Sequence, residues 1–144
     1  MNLLELGVVA KNTAKKAGKF LLTQKSEEKL ISSEKGRDIK LELDRKTEEL
    51  IRKELAITKI QVQGEEIVSK IDQKLRWVVD PIDGTANYFR GLNQCCVSIA
   101  LMNEHECQIG LIYDFNSDEC YEAIKGHGAK LNNVSIRAVS YTHL

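Results

Sequence analysis

The chain has 144 residues, enough for one domain or part of one. Lysine and arginine balance aspartate and glutamate at 21 each, so no global field draws it to nucleic acid or an anionic membrane. No apolar run reaches the ~20 residues of a membrane span, and Lys11, Lys15, Lys16 and Lys19 interrupt any secretory apolar segment.

From the N-terminus, Leu3, Gly7, Ala10, Ala14, Ala17 and Leu21 recur at spacings of four and three, one face of an amphipathic helix. Residues 26–33 extend the helical pattern until Gly36 breaks it. Leu41 and Leu43 alternate with polar residues as in an edge strand. Asp44 suits the N-cap of a following helix whose buried stripe is Leu50, Ile51 and Leu55. Ile60-Gln-Val-Gln reads as a short strand leading into Gly64-Glu65-Glu66. Trp77, Val78 and Val79 make a buried-strand run, which Asp80 ends because a residue before proline is restricted. Thr85 opens a short helix closed by Gly91. Three strand-like runs follow, at 95–102, 107–114 and 120–124. Their short connections predict an antiparallel meander. Helices first and strands later give an α+β layered domain.

The four cysteines, Cys95, Cys96, Cys107 and Cys120, lack the C-x-x-C spacing of zinc sites. Neighbours on a strand point to opposite faces, so Cys95 and Cys96 do not chelate one ion together. They read as buried reduced thiols, which suits a cytoplasmic location. Asp114-x-Asn116-x-Asp118 imitates the start of a calcium loop, but Glu119 replaces the required glycine and Lys125 the terminal glutamate. It reads as a turn. Gly126-His127-Gly128 lacks the lysine and spacing of a phosphate loop. His105 and His127 lie in turns without a catalytic partner.

The most informative stretch is Asp80-Pro-Ile-Asp83-Gly-Thr85-Ala-Asn87-Tyr88. One tight turn can aim Asp80 and Asp83 at a single point, and Gly84 lets backbone approach a ligand. Taken alone, both aspartates could be ordinary turn residues. Glu65 and Glu66 form a second acidic cluster. Gathering Glu65, Asp80 and Asp83 in one cleft is unfavourable without cations, because like charges repel and lose hydration. The pattern therefore suits a divalent cation holding a phosphate.

These paired motifs, Gly64-Glu65-Glu66 and then Asp80 to Tyr88, resemble the inositol monophosphatase family of magnesium-dependent, lithium-sensitive phosphatases. Asp38-Ile-Lys-Leu-Glu-Leu-Asp44 is similar to the segment carrying the family's upstream aspartate. Cys96-Val-Ser-Ile-Ala and Lys125-Gly-His-Gly-Ala resemble the strand and turn that follow. Ala86 and Asn93 depart mildly from the family pattern. The resemblance implies a layered α/β sandwich of the sugar-phosphatase type. It implies metal ligation by Glu65, Asp80, Asp83 and the carbonyl of Ile82, with Glu66 either a further ligand or solvated. Gly84 and Thr85 would hold the phosphate. Glu65, Thr85 and Asp44 would be catalytic, the last two orienting the attacking water. Two or three magnesium ions are implied, with manganese compatible.

The family pattern continues into a second half that these residues do not contain. The expectation is the N-terminal part of the domain, 1–139, followed by a non-native or junction tail at 140–144, with this chain by itself inactive. The implied reaction is hydrolysis of inositol monophosphate or a related sugar phosphate. Fructose-1,6-bisphosphatase and nucleotide 3'-phosphatase activities are alternatives, as is a non-catalytic metal-binding or interaction module. The implied partners are a small phosphate ester and a second subunit, since family members are often homodimers, with no nucleic acid or membrane.

Overall fold

The computed structural model describes residues 1–27 and 34–140. Small side chains decide how the first helix sits. In α1 (Leu3–Glu27) the stripe Ala10, Ala14, Ala17 and Leu21 is wholly buried. At Gly18 the Tyr113 ring and the Phe115 Cβ fill the space a Cβ would need. The helix therefore lies close on the sheet.

α2 (Glu34–Leu55) corrects three expectations. Gly36 lies inside this helix and does not break it. Leu41 and Leu43 are helical, with Leu41 exposed and Leu43 buried. Asp44 is an interior residue of α2 and not its N-cap. The physical reason is the stripe Leu43, Thr47, Ile51 and Leu55, which recurs every fourth residue and is buried throughout. Two alternating leucines cannot outweigh that period. Most of the expected helical extension at 26–33 lies outside the described residues, as do 141–144 of the expected tail.

A 3-10 turn, Ala56–Thr58, leads to β1 (Gln61–Gln63), and β2 follows at Leu75–Asp83. The short α3 is Thr85–Phe89. Then come β3 (Cys96–Asn103), β4 (Glu106–Asp114), β5 (Glu119–Ile124), β6 (Gly128–Leu131) and β7 (Val134–Ile136). The seven strands form one sheet in sequence order, β1 parallel to β2 and every other pair antiparallel. The meander over 95–124 is as expected, and β6 and β7 lengthen it. Helices α1 and α2 cover one face. Trp77, Val79, Val97, Ile99, Leu101, Ile109 and Leu111 form the core beneath them. The fold is thus an α/β layered half-sandwich. No described helix is long and apolar enough to cross a membrane.

The cysteines are unpaired, and Cys95 and Cys120 are buried as expected. Cys96 is half-buried and Cys107, beside the Glu104-His105 turn, is exposed, so neither is the buried thiol expected. The 114–118 segment is the β4–β5 turn, closed by the Asp114 carboxylate accepting from the amides of Asn116 and Ser117.

Candidate active site

Asp80 does not end its strand. β2 runs on through Pro81 to Asp83, with a register shift: Asp80 faces Ser98 and Asp83 faces Cys96. Three steps on β2 thus match two on β3, a one-residue bulge. Residues opposite each other in an antiparallel pair share a face, so the bulge puts Asp80 and Asp83 on the same face. Regular alternation would have split them. Pro81 sits in the irregular step, where the missing N–H costs no ladder bond.

Gly84 follows with φ +86°, and a Cβ there would lie 2.5 Å from the Gln94 carbonyl oxygen. Glycine is required at this turn. Asn87 Nδ2 donates to the same Gln94 carbonyl at 2.9 Å, tying α3 to the chain behind it. The Tyr88 hydroxyl donates to the Leu21 carbonyl at 2.7 Å and pins α3 to α1. The Thr85 hydroxyl donates to the Ile82 carbonyl at 2.8 Å. A hydroxyl has one proton, so Thr85 does not also donate to Asp44. That bond goes to the carbonyl which the resemblance makes a metal ligand, and it leaves the expected orienting of a water by Thr85 and Asp44 unaffected.

The acids share one electrostatic field. Asp44, on α2, is only 7% exposed, and its Oδ1 is buried without a partner. Burial, then the charges of Glu66, Asp80 and Glu65, push its carboxyl from 3.8 up to about 7. Asp80 also has a buried, unpartnered Oδ1. Burial raises it to about 6, helped by Glu65 and Asp83 and opposed by a backbone hydrogen bond at Ile82. Glu66 is raised by burial and by Glu48 and Glu65. The Cys96 thiol lies 4.0 Å from Asp83 Oδ2 and is pushed up to about 11, first by burial and then by Asp83 and Asp80.

The acids on α2, in the loop after β1 and on β2 are therefore near enough to feel one another's charge. Among the described residues no three His, Cys, Asp or Glu side chains are already drawn into a group that could hold an ion. The acids form a common field without a ready-made chelate. Two orphaned carboxylate oxygens and an all-oxygen donor set nonetheless fit a hard divalent cation, whose charge would offset the repulsion.

One residue of this region escapes a motif reading. Glu48 is completely buried, and its carboxylate accepts from the amides of Glu66 at 2.7 Å and Ile67 at 3.2 Å. Its only sequence signal is its spacing of four from both Asp44 and Arg52.

A helix-backed meander whose bulged strand brings paired aspartates to an acidic cluster defines the class: a layered α/β domain with a partly buried cluster of acids. The profile of the inositol monophosphatase family matches residues 2–144, and the chain belongs to that family. Inositol monophosphatase 2 of Solanum lycopersicum is 35% identical over 94% of this chain and 54% of its own length. The protein named Nus factor SuhB of Haemophilus influenzae is 33% identical over 92% of this chain and 52% of its own length. Among solved structures, inositol monophosphatase II of Staphylococcus aureus superposes with a TM-score of 0.81 at 29% identity, covering 95% of this chain and 53% of that one. The chain spans about half the length of the curated relatives it matches.

Proposed function

We propose that the chain carries the metal-ligand portion of a metal-dependent phosphomonoesterase acting on inositol monophosphate or a related sugar phosphate. The observation that carries this reading is the pair of buried, unpartnered oxygens on Asp44 and Asp80 within a cluster that also includes Glu65, Glu66 and Asp83. Family membership and relatives named as inositol monophosphatases support it.

Glu65, Asp80, Asp83 and the Ile82 carbonyl would hold magnesium, with Glu66 a further oxygen donor. A bound divalent cation supplies neutralisation of phosphate charge and a more acidic water. The chain's own residues do the rest. As the water oxygen bonds to phosphorus and the P–O bond to the sugar oxygen breaks, Glu65 or Asp44 would take the water's proton and the departing oxygen would be protonated from solvent. The Thr85 hydroxyl, its proton given to Ile82, keeps lone pairs to accept from that water and orient it. The amides of Gly84 and Thr85, where the backbone turns at positive φ into α3, face the phosphate oxygens. Four unpaired thiols suit a reducing, cytoplasmic setting.

The test is phosphate release from inositol 1-phosphate, fructose 1,6-bisphosphate and a nucleoside 3'-phosphate, with and without magnesium. It is run on the chain alone and on residues 1–139 grafted into a full-length relative. Magnesium-dependent release by the graft, highest on inositol phosphate, is expected. The chain alone is expected to release little. A graft silent on the whole panel would sink the phosphatase reading. It would favour a non-catalytic metal-binding or interaction module.

A further inference from the structure

We propose that Glu48 is a positioning residue: its buried carboxylate fixes the loop after β1 and thereby sets how Glu65 and Glu66 face the aspartates. The inference rests on the metal-centre reading above and names the device that builds it. Glu48 Oε2 accepts from the amide of Glu66, while Oε1 accepts from the amide of Ile67 and from Arg52 Nε at 2.9 Å. Arg52 Nη2 in turn donates to the Ile67 carbonyl at 3.0 Å. One turn of α2 therefore grips both backbone polar groups of Ile67.

Between Gln63 and Leu75 the chain has no helix or strand to hold it, so these bonds fix its first part at Glu66 and Ile67, while Ser69 donating to the Val62 carbonyl and the amides of Asp72 and Gln73 donating to Gln61 hold the rest. A fully buried carboxylate is costly unless its lone pairs are satisfied. Here every named donor except Arg52 comes from this one loop. Gly64 completes the fit, because a Cβ at that position would collide with the Glu48 carboxylate. Asp44 stands one helical turn before Glu48 on the same face of α2. The grip and the buried aspartate are thus parts of one rigid element, and the distance from Asp44 to Glu65 and Glu66 is set by it.

The experiment is a titration with Mn2+ alone, read by electron paramagnetic resonance, beside amide hydrogen exchange at Glu66 and Ile67 and thermal unfolding. It compares the 144-residue chain with Glu48→Gln, Gly64→Ala and Arg52→Lys. Exchange at the two amides should accelerate in each variant, and Mn2+ affinity should fall by about 10- to 100-fold, the range for groups that orient metal ligands. Gly64→Ala and Arg52→Lys leave the charge of Glu48 in place, so their loss of affinity reports position and not charge. Weak binding by Glu48→Gln with normal binding by the other two would reduce Glu48 to a source of charge and overturn the inference. Unchanged affinity in all three would overturn it too. If neither the unaltered chain nor the full-length graft binds Mn2+, the metal-centre reading fails, whereas exchange at Glu66 and Ile67 that is unchanged in all three variants overturns the grip of Glu48 by itself. Should Gly64→Ala not fold, Arg52→Lys decides between position and charge.

Discussion

Replacing Asp44 by asparagine should stabilise the metal-free protein at neutral pH and not in acid. Asp44 is buried with one oxygen unpartnered, and its carboxyl is raised from 3.8 to about 7. A folded-state value above the unfolded one means the folded chain binds the proton more tightly. The stability linked to Asp44 is therefore full below about pH 4, is lost as pH rises towards 7, and stays lost above. Each unit is worth about 1.4 kcal/mol, so a shift of roughly three units bounds the loss at about 4 kcal/mol. Solvent on the open side of the cluster and sharing of protons among the acids bring the expected figure down to about 2 kcal/mol. Asparagine has the same shape and no charge to desolvate, although an unpaired amide costs about 1 kcal/mol at any pH. Urea unfolding with a chelator present, at about pH 4 and about pH 8, measures the difference between the two proteins. The variant should be the weaker in acid and the stronger by about 1 kcal/mol or more at the higher pH. Magnesium should narrow the gap by stabilising the unaltered chain more. A difference independent of pH would refute the reasoning, since it would mean Asp44 carries no folding-linked proton.

Gly84→Ala should cost about 2–4 kcal/mol, from positive φ and the clash with the Gln94 carbonyl, read as a fall in melting temperature. Tyr88→Phe removes the hydroxyl that donates to Leu21 and should cost about 1 kcal/mol by urea unfolding, with the α3 amides exchanging faster. In the graft, Asp83→Asn should lower turnover by several orders of magnitude while leaving unfolding unchanged, because Asp83 is exposed; near-normal turnover at saturating magnesium would remove it from the ligand set. Thr85→Ala should reduce turnover more than cation affinity, and calorimetric titration beside kinetics separates the two.

The meander was legible because its apolar residues alternate and its turns are short. The acidic motifs were legible because each is contiguous. α2 was not, and the reason lies in Asp44, Thr47 and Glu48, buried polar residues on the very face that should read as apolar. Asp44 keeps an unpartnered oxygen, and of the three only Glu48 is satisfied by contacts elsewhere in the fold. Thr47 bonds the Leu43 carbonyl, and Glu48 bonds a loop eighteen and nineteen positions on. No local window contains that information. β6 and β7 lacked buried residues to mark them, but Asn132-Asn133, both with positive φ, was an available turn signal. The bond from Thr85 to the Ile82 carbonyl is a choice of acceptor that spacing alone cannot make.

The bulge in β2 makes the two aspartates a matter of count more than identity. Their common direction comes from one residue too many between Asp80 and Asp83, so the strand works like a reading frame whose phase is shifted once. Substitutions at Pro81 or Ile82 keep that phase and alter only local fit. Straightening the bulge without removing a residue would turn Asp83 to the other side of the sheet with every side chain intact, whereas deleting either residue would leave the aspartates two apart and on one face by ordinary alternation. The shared direction therefore depends on the irregular step and the spacing of three together.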